Sequence, residues 1–597
     1  MPAIEIRPAA PTVPAGLLQD AERDERAVRC GPWSLRISDG RLDDLRFGTA
    51  RILRGVRFVV RDEDWGTFAT VRAALEIEGG TLVVEGESAQ EEARVTWTLR
   101  ADFSGNSLTI ALEARASTPF LRNRLGLIVL HGTESAGAAV EARHPGGTAD
   151  RLAFPERIAP HQPAQDLAGL AWTAEGVPVE LTLEGDVFET EDQRNWTDAS
   201  FKTYSTPLSL PFPVPVAAGE IVRQSLRIDC GGAPPTVTRE SPASPSVLRT
   251  GSTGHPLPEI RTSAASAPTD LRPDVRPALD LLVECDVRWA GWRRALRRAF
   301  EDAGGRPVDL RLVASGPEDV RAVLDELGDA PLARLGVFAA QGHRSTPELL
   351  EAARRAAAER GAEVVGGVRS HFTELNRGAE ALANGEASLA FSITPFMHDR
   401  SGHQLVESLA VQRTVVRDAA AIADGRPLHV GPITLGARMN AVSTSAFDPG
   451  TADIDGSGYG PEMVPGATDE RQHAPELAAW VVGSLDALAV PGVASLAYFE
   501  QWGPRGVVTA AGVTAVGAVL QWAAALTASP RLDAHAAGLV ALGAVAADGR
   551  VVLLGNPGGT AVTVDPTGIE RWEAAGGADG ESFVLEPGGA ARVLLTP

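Results

Sequence analysis

The sequence predicts a multidomain protein of α/β plus all-β class: an N-terminal antiparallel β-sandwich, a central (β/α)8 TIM-like barrel and a small C-terminal β-sandwich domain. The first observation is length, because 597 residues exceed the size at which one hydrophobic core stops growing, about 250–300 residues. The second is a change of apolar periodicity along the chain, from period 2 to alternating strands and helices and back. The predicted boundaries are 1–231 for the first domain, 232–256 for a linker, 257–530 for the barrel and 531–597 for the last domain.

The N-terminal domain is predicted from short alternating segments such as TLVVEG (81–86), SLTIALEA (107–114) and VELTLEG (179–185). Apolar and polar residues alternate in them as they do on half-buried strands. Helical periodicity is nearly absent up to residue 231. The following 25 residues, 232–256, are dense in Pro, Ser, Thr and Gly, which is typical of a linker.

The barrel is predicted from apolar strands that alternate with amphipathic helices, an order that implies parallel strands and right-handed crossovers. Seven strands are clear, at 279–289, 308–315, 333–340, 364–376, 388–398, 427–436 and 495–503. The helices are expected at 291–304, 317–328, 346–361, 404–425, 475–488 and 513–528. An eighth strand is expected to be short or to lie within 437–472. Short strands return after Pro530, which predicts the C-terminal β-domain.

Composition excludes several classes of function. The net charge of −22 opposes binding to nucleic acid or to anionic membranes, which attract clustered positive charge. No segment approaches the roughly 18–20 apolar residues of a membrane span, and the N-terminus lacks a signal-peptide pattern, so we expect a soluble, cytoplasmic protein. Three scattered cysteines and the lack of metal-ligand spacings predict neither disulfides, nor a metal, nor another cofactor. A homo-oligomer is compatible with this composition.

Polar residues follow four predicted barrel strands, at 373–377, 395–399, 436–440 and 498–502. Barrel enzymes carry their chemistry at these strand ends. Glu374 and Glu500 are candidate catalytic carboxylates on two strands, as acid/base or nucleophilic chemistry at a sugar requires, and His398 is a further candidate proton carrier. The candidate substrate contacts at the strand ends are Asn376, Arg377, Arg438 and Tyr498.

The densest polar segment lies outside the barrel, at residues 188–204, and follows neither strand nor helix periodicity. It contains Lys202, the one lysine of the chain, in a protein whose other cations are arginines. Such a residue suits a site that needs a compact point charge. The candidate substrate-binding residues of the segment are Asp192, Arg194, Asn195, Trp196, Lys202 and Tyr204. A capped loop with a buried ion pair is the structural alternative, and the nearby cluster 122–124 is a weaker candidate for the same cleft.

Several segments together resemble the D-apionate lactonase family, bacterial enzymes of apiose catabolism. They are FLRNRLGLIVLHG (120–132), FPERIAPHQP (154–163), GDVFETEDQRNWTDASFKTYSTPL (185–208), FTELNR (372–377), the stretch from TPFMHD to LVESL (394–409) and ASLAYFEQWG (494–503). The resemblance covers nearly the whole chain. It implies the same three domains and an activity that opens the lactone of the branched-chain sugar acid D-apionate. The expected partner is therefore a small carbohydrate or sugar-acid lactone.

The sequence leaves three functions open. A lactonase would use Glu374 or Glu500 as general base, the other acid or His398 to protonate the leaving alkoxide, and Arg377 or Lys202 at the oxyanion or product carboxylate. A retaining glycoside hydrolase would use the two acids on the barrel strands, but the predicted strand 427–436 ends without an acid where such barrels carry their nucleophile. A sugar-binding protein without catalysis would leave the acids unused. We expect a lactonase.

Overall fold

The computed structural model describes residues 3–236, 245–266, 279–382, 385–443, 466–576 and 583–596. It confirms the predicted fold class: a β-rich N-terminal domain, a closed barrel of eight parallel strands and a C-terminal β-region. None of the helices in these ranges is long and apolar enough to cross a membrane.

The N-terminal domain consists of two large antiparallel sheets that share one apolar core. The strands are β1 Glu5–Pro8, β2 Arg26–Cys30, β3 Trp33–Ser38, β4 Arg41–Phe47, β5 Ala50–Asp62, β6 Ala69–Glu78, β7 Thr81–Gln90, β8 Ala93–Ser104, β9 Ser107–Ala116, β10 Phe120–Gly132, β11 Ala139–Arg143, β12 Ala149–Ala153, β13 Ala164–Leu167, β14 Gly169–Ala174, β15 Val177–Glu184, β16 Phe188–Asp192, β17 Ser200–Tyr204, β18 Val214–Val216 and β19 Ile221–Cys230. A short helix, Asp20–Arg23, precedes β2.

One sheet has the order β1-β2-β3-β4-β5-β10-β17-β16-β13, with β18 beside β10, and the other has the order β12-β11-β14-β15-β19-β9-β8-β7-β6. Large side chains from both sheets, among them Trp33, Phe47, Trp97 and Phe201, are buried between them. The alternation read from the sequence thus places apolar side chains of both sheets in one sandwich core.

The barrel consists of β21 Glu259–Ser263, β22 Asp280–Asp286, β23 Val308–Ala314, β24 Leu332–Ala339, β25 Glu363–His371, β26 Ser388–Ile393, β27 Leu428–Ile433 and β28 Val493–Glu500. It closes where β21 pairs with β28 in parallel. The helices of this domain are Trp292–Ala303, Pro317–Leu327, Pro347–Ala358, Phe372–Arg377, Ala379–Leu382, Gly402–Ala423, Leu477–Leu488 and Ala515–Ala524. A hairpin, β29 Val508–Thr509 and β30 Gly512–Val513, precedes the last helix.

Two features of the barrel bear on its predicted strands. The eighth strand is β21, which is short, as one of the two alternatives expected, and it lies ahead of the seven predicted strands. Residues 444–465 of the other expected location, 437–472, lie outside the described ranges. The five residues of β21, EIRTS, carry one large apolar side chain, and Arg261 is buried in an ion pair with Glu259, so no apolar run marks this strand. In addition, β25 ends at His371 and residues 372–377 form a helix instead of continuing the strand.

The C-terminal region is a six-stranded sheet in the order β20-β31-β32-β33-β37-β35, with a two-stranded sheet of β34 and β36. The strands are β20 Arg249–Pro256, β31 Pro530–His535, β32 Val540–Ala546, β33 Gly549–Gly555, β34 Val562–Thr563, β35 Ile569–Ala574, β36 Val584–Leu585 and β37 Ala590–Leu595. Leu585 of the small sheet shares a core with Val552 and Val593 of the large one. Strand β20 comes from the predicted linker segment.

The first sheet of the N-terminal domain meets the barrel at the carboxyl ends of the barrel strands. Arg54 and Arg57 of β5 both bind Asp399, which follows β26, at 3.3 and 2.9 Å. On another side, the Asn440 amide donates to the Asp64 carbonyl at 2.8 Å. The mouth of the barrel is therefore walled by the N-terminal domain.

Candidate active site

The polar segment 188–204 is a tight turn between two paired strands, which explains why it has no simple periodicity. Strands β16 and β17 pair antiparallel, and one 3-10 turn, Gln193–Trp196, joins them. The Asp192 carboxylate accepts from the Arg194 backbone N–H and so caps this turn. Thr197, directly after it, has φ of +72°, a conformation that non-glycine residues rarely adopt and that recurs at functional sites.

This turn places Asp198 against a histidine of the barrel. The Asp198 Oδ2 atom lies 2.6 Å from the Nδ1 atom of His398, which follows β26. The other carboxylate oxygen accepts from the His398 backbone N–H at 3.3 Å. Asp198 is buried, whereas 18% of the His398 side chain is exposed. A carboxylate bonded to Nδ1 fixes the ring and its tautomer, so the Nε2 atom is left as the base.

Asp198 and His398 together form a dyad. Trp196 lies beside this dyad and contacts two histidine rings of the barrel. Its ring centroid is 5.8 Å from that of His398 and 5.9 Å from that of His371. Burial, with the neighbouring His398 and His343, lowers the pKa of His371 to about 3. His371 is therefore neutral at physiological pH and adds no competing charge beside His398.

Lys202 forms an ion pair with Glu191, which lies directly opposite it on the neighbouring strand. The Lys202 Nζ atom is 2.7 Å from the Glu191 carboxylate, and both side chains are largely buried. Burial raises the pKa of Glu191, but Lys202, His398 and Arg377 outweigh it and bring that pKa to about 2. The other oxygen of Glu191 accepts from the Trp196 indole at 3.2 Å, so the ion pair adjoins the dyad.

A second polar group occupies the ends of other barrel strands. Glu500 accepts from the Arg505 guanidinium at 2.9 Å and from the Ser266 backbone N–H at 3.1 Å. Glu284 of β22 binds both Arg369, at 3.2 Å, and Arg438. Burial lowers the pKa of Arg438 to about 10, an effect that nearby Glu500 opposes. Arg438 and Glu500 thus belong to one network of paired charges.

Glu374 caps the helix that begins after β25. Its carboxylate accepts from the His371 backbone N–H at 3.1 Å, which is the return bond of a capping box. Burial raises the pKa of Glu374. Glu374 and Glu500 therefore bond to different partners, one to a helix start and the other to Arg505 and Ser266.

The structure brings several predicted site residues to the dyad. Trp196 contacts His398, and its indole donates to Glu191, the partner of Lys202. The Tyr204 ring lies 4.8 Å from the Lys202 Nζ atom. Arg377 stands at the rim, with its guanidinium 6.0 Å from the centre of the Trp196 ring. Asn376 of the same helix donates to the Asn195 side chain at 2.9 Å, which ties the barrel to the turn.

Four predicted substrate contacts lie elsewhere or have other roles. Asp192 and Arg194 pair with each other at 2.7 Å, buried, and Arg194 also donates to carbonyls of the loop 155–157. The side-chain amide of Asn195 accepts from Asn376 through its oxygen and donates to the carbonyls of Asp192 and Ala159 through its nitrogen. These three residues hold the turn in place, because most of their polar atoms already bond within the protein.

Tyr498 is the fourth. It is fully buried, and its hydroxyl bonds to Ser484 of the outer helix Leu477–Leu488 at 2.8 Å. Residues two apart on a strand normally share a face, but φ of +49° at Phe499 breaks the alternation. Glu500 therefore reaches the mouth while Tyr498 stays in the core.

Asp198 and Glu191 are not among the residues predicted from the sequence. Both lie in the polar segment 188–204, but their roles depend on tertiary contacts that a sequence pattern does not contain. Glu191 is identified by the register of β16 against β17, and Asp198 by its contact with a residue 200 positions away. In the described part of the chain, no group of three or more His, Cys, Asp or Glu side chains could hold a metal ion.

Comparison with known proteins gives matches over both large domains. Residues 15–233 match the N-terminal domain of D-apionate lactonase, and residues 257–528 match its TIM barrel domain. The chain is 30% identical to a D-apionate lactonase of Brucella anthropi over 471 residues, which cover 72% of this chain and 76% of that protein.

Solved structures are less similar. An α-galactosidase of Geobacillus stearothermophilus has 10% identity and a TM-score of 0.25, over 96% of this chain and 100% of the other. A galactose mutarotase-like protein of Clostridium acetobutylicum has 8% identity and a TM-score of 0.25, over 38% of this chain and 99% of the other. Neither similarity is high enough to support a conclusion about function. The sequence matches cover both large domains, and they decide the assignment: the chain belongs to the D-apionate lactonase family.

Proposed function

We propose that the protein hydrolyses the lactone of a branched sugar acid of the D-apionate type, with His398 as the general base. Family membership makes the protein a sugar-acid lactonase, and the proposal concerns its substrate and the residues that act. The observation that carries it is the 2.6 Å contact between Asp198 and His398, with the other ring nitrogen free of hydrogen bonds to described residues. Asp198 comes from the N-terminal domain and His398 from the barrel, so the dyad exists only where the domains meet.

The chemistry follows from the dyad. The Nε2 atom of His398 takes a proton from water, and the water oxygen bonds to the lactone carbonyl carbon. The carbonyl oxygen becomes an oxyanion, which the nearby Lys202 ammonium stabilises. When the oxyanion collapses, the bond from the carbonyl carbon to the ring oxygen breaks, and protonated His398 returns its proton to the leaving alkoxide. The products are a free hydroxyl and a carboxyl group, which ionises at neutral pH.

The glycosidase alternative is less well supported. Strand β27 is the seventh of the barrel, and the residues after it, Thr434, Leu435 and Gly436, include no acid. Glu374 also spends a carboxylate oxygen on its helix cap. The acids expected to act together are thus committed to other contacts.

A panel assay tests the proposal. Purified protein is offered the lactone of D-apionate, other five-membered aldonolactones and a set of aryl glycosides, with and without chelator. We expect lactone opening, measured as acid release, to exceed every glycosidase rate and to survive chelation. Glycoside turnover without lactone opening would contradict the proposal, and loss of activity with chelator would indicate a metal. The cytoplasmic location and a homo-oligomer remain predictions from the sequence.

A further inference from the structure

Arg61 and Arg124 lie directly opposite each other on neighbouring strands of the sheet that walls the barrel mouth. They are paired in the register of β5 against β10. Like charges placed opposite each other on a sheet repel and cost stability. Such a pair therefore needs a compensating anion.

Aromatic rings hold the Arg124 side chain. Its guanidinium lies 4.9 Å from the centre of the Trp65 ring and 5.0 Å from that of the Tyr204 ring. Trp65 has φ of +69°, an uncommon conformation for a large side chain. Stacking occupies the faces of the guanidinium and leaves its N–H edges available, and these edges fit a carboxylate in bidentate geometry.

Neither arginine has an acidic partner within 4 Å in the described ranges. Arg124, 8% exposed, donates to the Asn123 carbonyl at 2.6 Å. Arg61 donates to the Trp65 carbonyl at 3.4 Å. Each guanidinium has five N–H donors, so most of them remain unused. Other buried arginines of this domain do have acids: Arg54 and Arg57 pair with Asp399.

The pair adjoins the proposed reaction site. Tyr204, which lies against Arg124, also lies under the Lys202 ammonium. Lys202 binds Glu191, and Glu191 binds Trp196, which contacts His398. Burial lowers the pKa of Arg61, while Glu191 and Asp198 are near enough to oppose that effect. Those two carboxylates already bind Lys202 and His398, so they leave the arginines without a dedicated partner.

We propose that Arg61 and Arg124 form a carboxylate subsite that binds the sugar acid produced by ring opening. The proposal rests on the lactonase function proposed above. A lactone is neutral, whereas the product carries a carboxylate at the former carbonyl carbon. A cationic subsite therefore distinguishes product from substrate, and it also favours the negative charge that develops during attack. The enzyme should accordingly be inhibited by its own product class.

The test is a binding measurement that needs no turnover. The probe is L-threonate, a four-carbon aldonate, titrated by calorimetry into the full-length protein, and threitol is the neutral probe of the same length. We expect threonate to bind with a Kd at least tenfold lower than that of threitol. Arg124→Gln and Arg61→Gln should each raise the Kd for threonate at least tenfold and leave threitol unaffected.

Two further variants complete the design. Arg100→Gln removes the same charge from an exposed pair with Glu78 on the other sheet and should leave the Kd unchanged. Arg124→Lys keeps the charge but loses the planar fork, and it replaces Arg124→Gln if that variant does not fold; it too should weaken threonate binding. No threonate binding by the wild type, or an unchanged Kd in the folded Arg61 and Arg124 variants, would overturn the inference.

Failure of the two proposals can be told apart. If the wild type binds threonate through the arginines but opens no lactone, the subsite stands and the proposed function fails. If lactones are opened while the arginine variants bind threonate normally, the function stands and the subsite is wrong.

Discussion

Lys202 and Glu191 face each other on β17 and β16, and their ion pair is largely shielded from water. Burial lowers the pKa of Lys202, and Glu191 opposes the shift. An ammonium group is a compact point charge on a flexible chain, whereas a guanidinium is wide and planar. The pocket formed by Glu191 and the Tyr204 ring holds the smaller group at 2.7 and 4.8 Å.

Lys202→Arg therefore tests whether the pocket requires a lysine. The guanidinium keeps the positive charge but does not fit the same contacts, so we expect kcat/KM for lactone opening to fall about tenfold or more, equivalent to roughly 1.4 kcal/mol of transition-state binding. The melting temperature should change little, because the arginine keeps a positive charge beside the buried Glu191 carboxylate. Normal kinetics in this variant would show that the site does not use the shape of the lysine side chain.

Composition alone identified Lys202, because it is the one lysine among many arginines. Its partner could not be identified in that way, since Glu191 is defined by strand register. Asp192, Arg194 and Asn195 were expected to bind substrate because they are ligand-type residues. Sequence cannot tell a polar group that supports a turn from one that faces a ligand, because the difference lies in which bonds are already made.

At the scale of elements, the helix Phe372–Arg377 links the barrel to the turn that carries Asp198. It begins directly after β25, and Glu374 caps its first turn. Asn376, near its end, binds Asn195 and the Ile158 carbonyl, both from the N-terminal domain. The position of this helix therefore affects where Trp196 and His398 meet.

Variants of Glu374 separate capping from catalysis. Gln can accept the same backbone bond, so Glu374→Gln should leave the stability nearly unchanged and keep the activity within about threefold of the wild type. Glu374→Ala loses the bond and should lower the free energy of unfolding by about 1 kcal/mol. Thermal melts and steady-state kinetics on both variants check this. A folded Glu374→Gln protein with a hundredfold lower kcat would instead make Glu374 the general base.

Most barrel elements were predictable because their apolar runs and amphipathic helices have clear periods. Strand β21 was not, since its Arg261 and Glu259 are paired inside the structure and present no apolar run. The helix at 372–377 is hard to predict for a related reason, because six residues are too few to show a helical period. Sequence patterns therefore fail to predict short elements that are defined by tertiary contacts.

At the largest scale, buried and half-buried ion pairs hold the N-terminal domain on the barrel. Arg54 and Arg57 bind Asp399, the residue next to His398, and Arg54 and Arg51 bind Glu407. Removing one partner of such a pair is costly, because the other charge stays buried. Domain docking and the position of His398 are thus coupled.

This coupling predicts an acid-sensitive junction. Burial raises the pKa of Glu407, but Arg54 and Arg51 outweigh it and lower that pKa from 4.5 to about 2. A carboxyl with a lowered pKa stabilises the fold fully above its ordinary pKa, and this contribution is lost as the pH falls toward the folded value. Between pH 5 and about pH 2 the melting temperature of the wild type should therefore fall more steeply than that of Glu407→Gln.

Glu351→Gln is the control for that measurement, because Glu351 is exposed and lies near its arginine partners only at 3.7 Å. Its melting temperature should follow the wild type across the same pH range. Parallel curves for the wild type and Glu407→Gln would mean that this pair does not contribute to acid stability.

Asp198 of the N-terminal domain is proposed to activate His398 of the barrel, and the value of kcat/KM for lactone opening by Asp198→Asn tests this. The matched control is His403→Asn, which alters a similar histidine–carboxylate pair at the same junction, with Glu22 at 3.0 Å. We predict a fall of roughly 10²–10⁴-fold for Asp198→Asn, the range that general base catalysis supplies, with His403→Asn within about threefold of the wild type. A folded Asp198→Asn enzyme with wild-type kcat/KM would show that Asp198 does not activate His398.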